Sequence, residues 1–148
     1  MEVNSNKTFL FLLLSVYIFS ILFLSLFGVT GSLHFIKVYD VSNNFIPFHT
    51  LSDYIFNFNK YNFDTWFFNT FGLIIVFIPI GFIFPFLVKQ SRSYFGVVLI
   101  SLLISSAFET IQSLTKYGVF DVDDILLSIV GGCLGLMFFI KKKNKGSR

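Results

Sequence analysis

ETIQSLTKYGVFDVDDILLSIVGGCLG, residues 109–135, carries an acid and an amide near the end of one apolar stretch. A short polar turn with three aspartates follows, and then a second apolar stretch studded with glycine. Four carboxylates, Glu109, Asp121, Asp123 and Asp124, fall within sixteen residues of an otherwise greasy chain. A carboxylate among hydrocarbon costs about 2.5–3.5 kcal/mol on insertion scales, so Glu109 needs a local polar reason to be there. Gln112, one helical turn on, shares its face.

The remainder of the chain fits apolar surroundings. Its 148 residues are 55% hydrophobic and 13% charged, with mean hydropathy +0.78. A soluble domain carries about 25% charged residues, so the class is integral membrane protein. Cys133 is the only cysteine and lies in an apolar run, which excludes a disulfide framework and a thiolate metal cage. There is no internal repeat, no low-complexity tract and no basic face of the kind that grips nucleic acid.

Four apolar spans are expected, at about 8–28, 67–88, 94–114 and 124–140, in a single domain over 1–148. The first follows a short polar leader (MEVNSNK) and holds 21 residues without a charge. That is roughly 31 Å of helix, enough to cross a bilayer. It is longer than a signal-peptide core, and VTGS at 29–32 is a poor cleavage site, so an uncleaved span is expected. No cysteine follows for a lipid anchor. The Asn6-Lys7-Thr8 sequon lies beside the span on the inner side and is discounted.

Between the first two spans runs a connector holding Pro47. Leu51, Ile55 and Phe58 recur from Phe48 at helical spacing, with Asp53, Asn57 and Lys60 off that stripe. A short amphipathic helix lying in the membrane interface is expected. His49 and Asp53 lack a third ligand, and His34 reads as a solvated loop residue. In the second span Pro79 cannot donate to the Ile75 carbonyl, so a kink is expected. Gly72, Pro79, Gly81, Ser128, Gly131, Gly132 and Gly135 read as helix-packing positions, the last group through Gly131-xxx-Gly135.

An even number of spans puts both termini on one side. Lys7, Lys89, Arg92, Lys141, Lys142, Lys143, Lys145 and Arg148 lie there, against Lys37, Lys60 and Lys116 on the other. The termini are therefore expected in the cytoplasm, and the chain is expected as a multi-pass protein of the cell membrane. Asn69, Glu109, Gln112, Asp121, Asp123 and Asp124 then share one depth near the outer surface, as a ligand-binding pocket. The inner halves of the spans hold no ionisable residue, which argues against a channel or proton relay. Plain structural roles stand beside this reading: Asp123 or Asp124 as helix cap, Asp121 shaping the turn after Gly118, and Glu109 bonding to Gln112 or Asn69 between helices.

These residues resemble the VanZ-like membrane protein family, whose founding member is linked to teicoplanin resistance. The pieces that carry the resemblance span about residues 40–140. They are NFIPF (44–48), Asn69-x-x-Gly72 with Phe77-x-Pro79-x-Gly81, Glu109-x-x-Gln112, and FDVDD (120–124) with the trailing GGCLG (131–135). Leu73 and Ser128 stand where the family favours Asn, and Lys116 and Tyr117 where it has an Arg. The resemblance implies a polytopic envelope protein that in some members lowers susceptibility to glycopeptides. It supplies no catalytic mechanism.

The partners expected are the bilayer and a glycopeptide antibiotic or lipid-linked envelope precursor. No cofactor is expected; the only metal option is a divalent cation at Asp121, Asp123 and Asp124. One rival reading is an intramembrane enzyme on a lipid-linked precursor, with Glu109 as acid or base. No serine–histidine pair or His-based metal motif supports it, and no catalytic residue is assigned. A small transporter subunit or structural protein is the other rival.

Overall fold

A computed structural model describes residues 5–27, 42–88 and 94–145. The leader up to residue 4, the 28–41 stretch with His34, Lys37 and Asp40, the basic turn at 89–93 and the last three residues lie outside them. The described chain is helical, in the order α1 (Ser5–Phe27), α2 (His49–Phe56), α3 (Phe63–Phe67), α4 (Leu73–Leu87), α5 (Tyr94–Thr115) and α6 (Val122–Lys145). A turn of π-helix, Phe68–Gly72, joins α3 to α4. Four stretches are long and apolar enough to cross a membrane: Asn6–Phe23, Phe63–Leu87, Tyr94–Thr115 and Val122–Lys142. The protein is an all-α membrane protein. Its second span begins at Phe63, four residues before the expected Phe67.

The π turn has a visible cause. Asn69 Nδ2 donates to the Thr65 carbonyl (2.8 Å) and Thr70 Oγ1 to the Trp66 carbonyl (2.6 Å). Each side chain competes for the oxygen that the ordinary helical ladder uses four residues on. From Leu73 the helix runs unbroken through Pro79 and Pro85.

The bundle is organised around the contact of α4 with α6, where backbone meets backbone. A Cβ on Gly131 would stand 2.3 Å from the Ile74 carbonyl oxygen, and one on Gly135 2.1 Å from that of Ile78. A Cβ on Gly81 would stand 1.9 Å from the Gly132 oxygen. Only glycine permits this approach, the physical content of a small-xxx-small seam. α5 packs on the other flank of α6. Ser105 Oγ donates to Ser128 Oγ (3.0 Å), and Ser101 lies under Gly132. Gly72 differs, because a Cβ there meets only Phe68 at ordinary contact distance.

α1 is peripheral. Leu14 is buried against Phe77 and Ile80, and Tyr17 Oη donates to the Val76 carbonyl (2.9 Å), but Phe9, Val16 and Phe19 stay about two-thirds exposed. Such exposure is costly in water and costs little in lipid.

α2 takes the expected amphipathic place between spans and buries none of its residues. Trp66 Nε1 donates to the Tyr54 carbonyl, and the Trp66 ring meets Phe58, Phe63 and Phe71 at 5.0–6.0 Å. Beyond it, Asp53 accepts from the Tyr61 hydroxyl and from Asn57 Nδ2. Those bonds, Tyr61's first, hold the Asp53 carboxyl below its usual range, and its bond to Asp53 pushes Tyr61 up to about 12. The tyrosine's contribution is present below its ordinary value near 10 and is lost as pH rises through the raised one. The aspartate's is present above about 4 and is lost in acid as pH falls through its lowered value. Asp53→Asn is expected to bring Tyr61 back toward the ordinary range, read as the difference in phenolate absorbance between variant and parent during alkaline titration.

Candidate functional site

α5 closes with the Tyr117 N–H on the Gln112 carbonyl (3.1 Å) and the Lys116 N–H on that of Ser113 (3.3 Å). Lys116 sits at φ 61°, where glycine is the usual occupant. This tight stop turns the chain back, and Gly118 packs against the Gln112 side chain. Phe120 and Asp121 then return past the end of α5 toward Glu109.

Asp121 is the N-cap of α6: its Oδ1 accepts from the Asp123 N–H (2.8 Å). Its own N–H donates to Glu109 Oε2 (2.9 Å). Glu109, only 4% exposed, is therefore fixed by the backbone of the aspartate turn rather than by Gln112 or Asn69. The capping role expected for Asp123 or Asp124 thus belongs to Asp121.

Two of the aspartates turn away toward the connector. Asp121 Oδ1 also accepts from Asn44 Nδ2 (2.8 Å), and Oδ2 from Thr50 Oγ1 (2.6 Å). The Asn44 backbone pairs with both sides of Asp121, donating to the Phe120 carbonyl and accepting from the Val122 N–H. Asn43 Oδ1 accepts from the Phe120 N–H (2.9 Å). Asp123, 1% exposed, accepts from the N–H groups of Phe48 (2.5 Å) and Leu51 (3.1 Å). It caps α2 from a distant helix and holds Phe48 at φ 65°. Asp121 and Asp123 are thus a staple fastening residues 43–51 to α6. The sequence reading groups both with Glu109 in one pocket; their carboxylates bond to residues 44–51 instead, and neither lines the cavity described next.

That cavity, of about 350 Å³, lies between α1, the π turn with α4, α5 and the start of α6. Its polar lining is Asn69, Ser105, Glu109, Gln112 and Asp124. Its apolar lining is Ile21, Phe68, Leu73, Val76, Phe77 and Phe108, with Gly72 between. Four of the six sequence-derived site residues therefore meet around one space. A cavity of this size with an apolar wall and a few convergent polar groups is the usual form of a small-molecule site.

Sequence reasoning missed Asn43, Asn44, Thr50 and Tyr54. NFIPF is a motif of the sequence, but nothing in it signals that its first Asn pairs with an aspartate 77 positions on. The Tyr54 hydroxyl lies beside the Asn69 side chain, and burial first, then the carboxylates of Asp124, Asp121 and Asp53, hold it above its usual range. Tyr54 thus sits where the connector meets the cavity wall. Among the described residues no group of three or more His, Cys, Asp or Glu is placed to hold a metal. Asp121 and Asp123 already spend their oxygens on protein donors.

No curated protein and no solved structure matches the chain. A family model, VanZ/LLP1, matches residues 9–143, nearly the whole length and including every piece that carries the resemblance. With four membrane-capable helices and that match, the chain belongs to the VanZ/LLP1 family.

Proposed function

We propose that this VanZ/LLP1 member is a cell-envelope protein whose cavity end faces outward. There it binds an acyl-bearing amphiphile and so lowers susceptibility to glycopeptides of the teicoplanin type. One observation carries the reading: the 350 Å³ cavity sets polar side chains against an apolar wall at the end of the bundle where the acids collect. Teicoplanin carries an acyl chain, and a space at the lipid boundary suits a molecule with one polar and one apolar part. The basic residues, eight against three, support placing that end outside.

The test compares cells lacking the chain with cells expressing it, at matched membrane levels. Expression is expected to raise the inhibitory concentration of teicoplanin several-fold, and that of a glycopeptide without an acyl chain less. Glu109→Gln, which keeps the shape of the side chain and removes its charge, is expected to abolish the gain. An unchanged susceptibility in all strains would overturn the proposal. A tag on Arg148 reachable from outside intact cells would overturn the orientation.

A further inference from the structure

Two carboxyl groups, Glu109 and Asp124, stand in the polar lining of the cavity beside Asn69, Ser105 and Gln112. Glu109 commits Oε2 to the Asp121 N–H, and its other oxygen takes no donor among the described residues. No hydrogen bond among them reaches the Asp124 carboxyl either; its backbone carbonyl, not its side chain, receives Ser128 Oγ. One N–H of Asn69 is committed to the Thr65 carbonyl. Ser105 gives its hydroxyl hydrogen to Ser128. Among the described residues no Lys, Arg or His lines the space. Two carboxyl groups thus face one largely apolar cavity with no cation beside them among the described residues.

We propose that the cavity binds the ammonium group of an amphiphilic amine, held between Glu109 and Asp124, with the amine's hydrocarbon along Phe68, Val76 and Phe108. This rests on the reading above that the cavity is a ligand site, and adds the ligand's chemical class. A buried carboxylate is tolerated when it is paired, and an ammonium brings three N–H donors that the carboxyl oxygens of Glu109 and Asp124 can accept. A bare metal ion fits poorly, because two carboxylates in a 350 Å³ space with phenylalanine walls are too few ligands too widely housed. An anionic headgroup would meet like charge, with no cation among the described lining residues to offset it.

The experiment uses the full chain in phosphatidylcholine nanodiscs and three probes with one alkyl chain: dodecylamine, dodecanol and dodecanoate. Binding is followed by the shift in thermal unfolding and by titration calorimetry. Dodecylamine is expected to bind about ten-fold or more tightly than dodecanol, the equivalent of 1.4 kcal/mol, with dodecanoate weakest. Asp124→Asn removes charge without touching the Asp121 bond that positions Glu109, and is expected to erase the preference for amine over alcohol. Gly72→Leu projects into the space and is expected to abolish binding of all three probes. Equal binding of amine and alcohol, lost in Gly72→Leu, would overturn the ammonium assignment and leave the cavity as a ligand site. Preference for dodecanoate would do the same. No binding by any probe, with the teicoplanin effect undiminished in Gly72→Leu, would overturn both.

Discussion

Gly135→Leu is expected to leave no monodisperse bundle after solubilisation, whereas Gly72→Ala is expected to unfold at or slightly above the parent's temperature. Both replacements remove a helical glycine, and each gains about 1 kcal/mol of helix propensity. What separates them is the neighbour. At Gly72 the new Cβ meets the Phe68 ring at 3.4 Å, ordinary contact. At Gly135 it would stand 2.1 Å from the Ile78 oxygen and 2.8 Å from the Phe82 nitrogen, both backbone atoms of α4. No rotamer relieves a backbone clash, so α4 and α6 would have to part by more than an ångström along the seam that also holds Gly131 and Gly81. One added methylene in a packed interior costs about 1–3 kcal/mol, and Gly135→Ala belongs at or above the upper end. A leucine exceeds that by enough to consume a domain's whole stability of about 5–15 kcal/mol. Size-exclusion profiles and melting of the solubilised variants decide it. A well-behaved Gly135→Leu bundle would show that α4 and α6 do not meet here.

Hydropathy and charge made the four spans legible, because each apolar run is long enough to settle its own structure. The glycine seam was legible as a motif but not in its partner. Gly131-xxx-Gly135 does not say whether it faces the second span or the third. The candidate site divided along a physical line. Residues inside helical runs, Asn69 on the π turn and Glu109, Gln112 and Asp124 on α5 and α6, could be placed by depth and turn count, and they do surround one space. Asp121 and Asp123 could not, since in a turn a carboxylate's direction depends on which distant donors reach it. Here those donors are the backbone N–H groups of Phe48 and Leu51 and the side chains of Asn44 and Thr50. Periodicity carries no information about pairings more than 70 residues apart. The early start of the second span had the same origin, since α3 is held by Trp66 on Tyr54, a contact between segments.

Asp123→Ala is expected to release the connector while the bundle stays folded. The carboxylate accepts two backbone N–H groups in a site 1% exposed, and hydrogen bonds to a charged group are worth about 1.5–3 kcal/mol each. It also holds Phe48 in a left-handed conformation that costs a non-glycine residue about 1–3 kcal/mol and relaxes once the bonds are gone. The loss should be local, because the glycine contacts of α6 with α4 do not pass through Asp123. Amide exchange at Phe48 and Leu51 is expected to accelerate about 100-fold or more, the equivalent of at least 2.7 kcal/mol, while exchange along Leu73–Leu87 changes little. Asp123→Asn keeps one acceptor oxygen and should fall between. Since Tyr54 of the same connector lies beside Asn69, freeing it should also loosen that wall of the cavity and weaken dodecylamine binding without removing a lining group. If the connector and the bundle instead come apart together, residues 43–51 are part of the core's own cooperative unit. The staple is then a foundation of the fold, and a hinged cover over the site is excluded.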